Sequence, residues 1–236
     1  MARSSRLRPV SGHSPERRRL VAALGAGALA GLLGACATIL PPRPVDRARA
    51  PRIGDTWRYA YWSEWKQDRP RMLDYAIVSV TDQGIGDRLT LDGAASPWED
   101  RLFVSGFALV PRPFPGLVVN DFSPYLEAFG PLVPGTFAVA MPPEQFGSAW
   151  WGTARVLGVE QVITAAGSFA ATRVQIDGAR PFLSGMDDAA DPVRIFAVAW
   201  YAPAVKRIVK FDFLTQALRL NPLTRDHYEL ASYRLG

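Results

Sequence analysis

Cysteine and histidine are nearly missing from this chain: among 236 residues there is one Cys and there are two His. A single cysteine excludes an intramolecular disulfide framework and any multi-cysteine metal site. No His-Glu-x-x-His and no Gly-x-Ser-x-Gly occurs, so the common metalloprotease and nucleophile-elbow signatures are absent. An excess of one charge sign is lacking too, once the N-terminus is set aside. The net charge of +5 comes from 27 Lys+Arg against 22 Asp+Glu. Six arginines (Arg3, Arg6, Arg8, Arg17, Arg18, Arg19) and only Glu16 precede position 36, which leaves 21 basic and 21 acidic residues beyond it. A nucleic-acid partner loses its electrostatic footprint by that count. What remains is an apolar content of 48%, ordinary for a folded core and too high for a disordered chain.

The N-terminus reads as a targeting segment. Residues 1–19 are polar and basic, and residues 20–35 are sixteen uncharged apolar or small residues. That run is short of the ~20 residues that span a bilayer. A basic region, a short apolar region and small residues at its end make a secretory signal. Leu33-Gly34-Ala35-Cys36 resembles the bacterial lipobox. The resemblance implies cleavage between Ala35 and Cys36, and acylation of the Cys36 thiol and of the new amino group. Two or more acyl chains anchor a protein stably where one holds it marginally. Arg17-Arg18-Arg19-Leu20-Val21 also resembles a twin-arginine signal, with Glu16 where that motif prefers Ser or Thr. The export route stays open between that and the general secretory one. Ala37 stands where Asp retains lipoproteins in the inner membrane. The resemblance therefore implies a cell-envelope protein on the outer membrane, facing the periplasm.

Residues 37–52 hold four prolines and five charges and read as a tether. At ~3.1 Å per residue, a Pro-rich stretch of this length reaches roughly 50 Å. The expected organisation is a signal over 1–35, a lipidated Cys36 with its tether to 52, and one domain over 53–236.

The domain reads as strand after strand. Trp57, Tyr59, Tyr61 and Trp65 alternate on one face of 55–65. A period of two with aromatic enrichment is a strand signature. Further strands are expected at 72–80, 88–92, 99–110, 135–141, 149–157, 159–165, 168–177, 193–201, 205–213 and 227–234. The fold class is all-β: a single antiparallel domain of about ten strands, as an open curled barrel or a sandwich. Within 205–213, Val209, Phe211 and Phe213 alternate inward, and Lys206, Arg207 and Lys210 read as a solvated face. One short helix is expected near 124–129, with Ser123 as its cap, Pro124 in its first turn and Gly130-Pro131 as its stop. It lies in a Pro-rich insertion.

Few residues carry chemistry. His13 falls within the signal, which leaves His227. Its neighbour Asp226 points to the opposite face of a strand, so strand geometry does not pair them. Asp187, Asp188 and Asp191 form an acidic loop without EF-hand spacing, read as a solvated turn. No metal and no cofactor is expected, and no catalysis. The aromatics are the candidate site: Trp57, Tyr59, Tyr61, Trp65, Trp200 and Tyr201, joined by Trp150 and Trp151. Such rings line ligand cavities, and they equally fill ordinary cores.

Two stretches resemble hairpins of many exported bacterial proteins. The first is Gly158-Val159-Glu160-Gln161-Val162 with Ala166-Gly167-Ser168-Phe169-Ala170-Ala171-Thr172-Arg173-Val174; the second is Trp200-Tyr201-Ala202-Pro203 with Val209-Lys210. They imply an all-β periplasmic fold and are silent on function. The wider architecture is similar to the lipoprotein carrier and receptor proteins of the Lol pathway, at the level of fold alone. Two roles follow. One is a non-enzymatic lipoprotein, held in the membrane by its N-terminal lipid, that binds a hydrophobic ligand such as a lipid or acyl chain. The other is a structural lipoprotein with a filled core that docks on an envelope protein.

Overall fold

The computed structural model of the chain describes residues 44–64, 69–95, 100–104, 109–114, 117–122, 124–141, 150–180, 193–217 and 222–236. These residues form an all-β domain. In chain order its strands are β1 (Thr56–Ser63), β2 (Arg71–Thr81), β3 (Gly84–Leu91), β4 (Ala94–Ala95), β5 (Arg101–Phe103), β6 (Leu109–Phe114), β7 (Leu117–Phe122), β8 (Gly135–Met141), β9 (Trp150–Thr164), β10 (Gly167–Arg180), β11 (Val193–Ala202), β12 (Arg207–Ala217) and β13 (Pro222–Arg234). Eleven of them make one open sheet in the order β4-β3-β2-β1-β13-β12-β11-β10-β9-β8, with β5 also on β3. Every ladder is antiparallel. Two meanders, β1 to β4 and β8 to β13, are joined where the first strand meets the last.

Alternation sets the core. On β1, Trp57, Tyr59, Tyr61 and Ser63 are buried while Arg58 is exposed. Leu73, Tyr75 and Ile77 continue that face on β2, Val209, Phe211 and Phe213 on β12, and Tyr228 and Leu230 on β13. Aromatic rings interlock across it: Tyr59 meets Tyr75 edge-on at 5.5 Å and Tyr228 at 5.2 Å. Such pairs add to the burial of their area.

The insertion departs from the sequence reading. Leu109–Phe114 and Leu117–Phe122 form a second, two-stranded sheet, β6 with β7. Pro111 and Pro113 lie in β6, which the prolines had masked in the sequence. In a two-strand ribbon each strand has an open side, where a missing N–H costs nothing. The expected helix is a single 3-10 turn, Leu126–Phe129, with no side-chain cap. Ser123 lies outside the described residues. Tyr125, Leu126 and Ala128 plug this turn into the core.

Part of the expected tether packs on the domain. Val45 and Ala50 are buried in the core. Asp46 N–H donates to Ala128 O at 2.7 Å, and Lys206 Nζ donates to Ala50 O at 2.9 Å. The second half of the expected tether is thus packed against the sheet, because two small apolar groups and a turn give that stretch something to bury. Cys36 and the targeting segment lie outside the described residues.

The β9–β10 hairpin bends. A single strand runs through residues 150–164 where the sequence suggested two, with a register shift opposite Arg173/Val174. Gly158 sits at the shift with φ +147°, a conformation that L side chains rarely adopt. Beyond it the hairpin reaches back to β13. Ala166 N–H donates to Leu230 O at 3.2 Å, and Phe169 packs on Tyr233 with ring centres 6.0 Å apart. Leu230 lies beside another bulge, where the β1–β13 register shifts at Arg58/Tyr59. A bulge breaks the local ladder and frees a carbonyl for such a contact.

Candidate functional site

The aromatic stripe closes on a side chain of the protein itself. Arg207 has a side chain only 2% exposed. Its guanidinium carbon lies 4.0 Å from the ring centre of Tyr75, 4.8 Å from Tyr125, 5.0 Å from Trp57 and 5.7 Å from Tyr59. Its Nη1 donates to Asp87 Oδ2 at 3.3 Å and to the Tyr125 hydroxyl. That hydroxyl donates to Asp87 Oδ2 at 2.6 Å. Two further bonds fix the cage. Trp57 Nε1 donates to Val205 O at 3.0 Å, and Tyr59 Oη donates to Ile208 O at 2.7 Å. A buried cation needs both an anion and ring faces to offset the loss of water, and this one has both.

Arg207 on a solvated face is therefore the reading that the structure corrects. The β11–β12 register shifts between Trp200/Tyr201, so that Trp200 faces Lys210 while Tyr201 faces Ile208. Arg207 stands two residues before Val209 and four before Phe211, so the period of two itself turns it inward; only its charge argued for solvent.

The candidate residues separate into groups. Trp57, Tyr59 and Tyr61 stand together, each at most 1% exposed. Tyr201 is buried as well; burial first, then the Glu127 carboxylate, raises its phenol above the ordinary tyrosine range. Tyr61 is raised for a similar reason, burial first and the Asp226 carboxylate second. Trp200 points the other way, onto the outer face. Its Nε1 donates to Glu160 Oε1, with Lys210 Nζ 5.4 Å from its ring centre and Arg173 Cζ 5.8 Å. Trp150 and Trp151 open β9, and Trp65 lies outside the described residues.

The two stretches that resemble exported-protein hairpins thus meet each other. Glu160 of the first holds Trp200 of the second, and Lys210 of the second covers the same ring. Val162, Phe169, Ala171 and Val174 of the first are buried. Pro203 of the second opens a 3-10 turn that ends at Lys206 with φ +55°.

His227 has a partner that sequence order concealed. Its Nδ1 lies 2.7 Å from Asp212 Oδ1, its register partner on β12, and its Nε2 lies 3.5 Å from Glu64 Oε1. Its ring stacks on Trp62 at 5.0 Å. Asp226 is buried on the other face. Among the described residues no group of three or more His, Cys, Asp or Glu side chains is arranged to hold a metal ion. The acidic loop with Asp187, Asp188 and Asp191 lies outside them.

One groove opens on the outer face of β3, β2, β1 and β13, with a volume of about 450 Å3. Two register rows line it. Arg88, Ala76, Thr56 and Arg234 form one, and Thr90, Asp74, Arg58 and Ser232 the other.

No protein-family model and no curated protein matches the chain. Two solved structures are similar to it. One is a Bacteroides fragilis protein described as exported, with a YmcC-like fold, at 12% identity and a TM-score of 0.39, over 78% of this chain and 97% of that one. The other is a Parabacteroides distasonis protein described as a lipoprotein, at 12% identity and a TM-score of 0.44, over 82% of this chain and all of the other.

Proposed function

We propose that the chain is a lipid-anchored lipoprotein of the bacterial envelope, held at the outer membrane by acyl groups on Cys36, and that its β-domain is non-enzymatic and works through its outer surface. The anchor rests on Leu33-Gly34-Ala35-Cys36. One observation carries the choice of surface over interior: the Trp57–Tyr59–Tyr75 face is filled by Arg207 and Tyr125 of the protein itself. A hydrophobic ligand there would have to displace a paired, buried cation, which leaves Asp87 to be solvated anew. Docking on an envelope protein is therefore the reading the geometry supports, ahead of an acyl chain held inside.

Native mass spectrometry of the full chain released from detergent tests this. The expected mass is that of the processed, acylated protein with no further lipid. A stoichiometric extra lipid that survives release, and is lost on Trp57→Ala, would reverse the choice in favour of ligand binding. For the anchor, Cys36→Ser is expected to abolish acylation and move the protein from the membrane to the soluble fraction.

A further inference from the structure

The outer-face groove is built asymmetrically. Its floor is small, Ala76 and Thr56, and these two are adjacent in one register row. Arg88 and Arg234 end that row on β3 and β13. Three strand spacings put their backbones about 14 Å apart. An extended arginine reaches nearly half of that, so Arg234, which among the described residues is not tied to a carboxylate, can reach over the floor toward Arg88. Arg58 borders the floor in the next row and is fixed there by Asp74, with N–O distances of 2.6 and 3.2 Å. Arg88 is held by Asp100 through bonds of 2.8 and 2.7 Å.

Arg234 is exposed and, among the described residues, has no carboxylate within ion-pair distance. Three cations line the groove, and the carboxylates of Asp74 and Asp100 offset two of them, which leaves the charge of Arg234 uncompensated. Thr56, Thr90 and Ser232 add hydroxyl donors beside them. The open fork of Arg234, beside hydroxyl donors and the remaining N–H groups of two paired arginines, over a floor with room for a ligand, suits a planar or tetrahedral oxyanion. Arginine forks match such groups with two donors at once.

We infer that the groove formed by Arg58, Arg88, Arg234, Thr56 and Ala76 is a binding site for a phosphate group. The phosphate is either a free anion or the headgroup of an anionic phospholipid. The site is independent of the buried aromatic face and of the lipid anchor.

The test uses the full chain in a neutral maltoside detergent and isothermal titration calorimetry at low salt. One arm adds inorganic phosphate; the other adds short-chain phosphatidylglycerol below its micellar concentration. Saturable binding of inorganic phosphate identifies a free-anion site, and binding of the phosphatidylglycerol alone identifies a headgroup site. In either case Arg234→Gln is expected to raise Kd at least tenfold. Ala76→Phe, which fills the floor and leaves the charge unchanged, is expected to do the same. Lys210→Gln, which removes a cation elsewhere on the sheet, is expected to leave Kd within twofold. The inference is overturned if neither probe binds saturably, or if Arg234→Gln and Ala76→Phe both bind as the parent does. It is overturned as well if Lys210→Gln weakens binding as much as Arg234→Gln, since attraction would then belong to net charge.

Discussion

Arg207 and Lys210 stand three residues apart on one strand, and each lies over aromatic rings, yet they belong to opposite sides of the sheet. Arg207 sits among four rings and an acid with water excluded. Lys210 is half-buried over the single ring of Trp200 on the outer face. The same pairing of cation and ring has different weight in the two places. Inside, the low dielectric strengthens every attraction, and it makes any missing partner costly. Outside, water screens the pair and competes for it. The inner cation fastens β12 to β3 and to the 3-10 turn; the outer one trims a hairpin already held by other contacts.

Arg207→Met strikes the inner side hardest. It strands the Asp87 carboxylate, and a loss of about 3–5 kcal/mol is expected, as for other broken buried pairs. Urea unfolding measures it. The double variant Arg207→Met, Asp87→Asn should recover part of that loss, and no recovery would mean that the rings, not the ion pair, hold the cage.

Alkali tests the same interior without a mutation. Tyr61 and Tyr201 have folded pKa values raised above their unfolded values. Their contribution is whole below pH ~10 and is lost as pH rises above it, by roughly 1.4 kcal/mol per group per pH unit. Tyrosinate absorbance at 295 nm should fall at least two groups short of full titration until the fold melts; complete titration of a folded chain would contradict their burial.

The folded-over hairpin and the outer face give smaller effects. Phe169→Ala removes the ring under the folded-over hairpin and should cost about 2 kcal/mol, below the usual range for a core Phe because Tyr233 is itself exposed. Hydrogen exchange should rise over residues 159–170 and stay unchanged on β1. Lys210→Met closes the comparison at less than about 1 kcal/mol. A larger loss, seen in the same urea titration, would make the outer pair a second keystone.

Which parts of this were legible in the sequence follows from the reach of a two-residue period. Trp57, Tyr59 and Tyr61 announced one face of a strand because nothing interrupts the alternation between them. Trp200 and Tyr201 read as one aromatic pair, and they point to opposite faces, as neighbours on a strand must. Arg207 was misplaced because its charge outweighed its position: it keeps the period of Val209, Phe211 and Phe213, and its buried partner Asp87 is 120 positions away. The His227–Asp212 pair was hidden because strand pairing, not sequence adjacency, brings the two together. The groove was hidden for the same reason: Arg88 and Arg234 are 146 positions apart in the sequence and share a row only through β2 and β1. The strand β6 was missed because its prolines argue against a strand wherever both sides must pair.

The pairing of β1 with β13 sets the order in which this molecule can be made. The centre of the sheet needs residues 222–234, which are synthesised after every other described strand. Until then the chain holds two separate meanders, and the inner face of β1 has no roof. Contacts between such distant segments form slowly, because a long loop must close before they repay its entropy. A chain built this way keeps its inner face open until β13 arrives, and the two meanders close into one sheet only then.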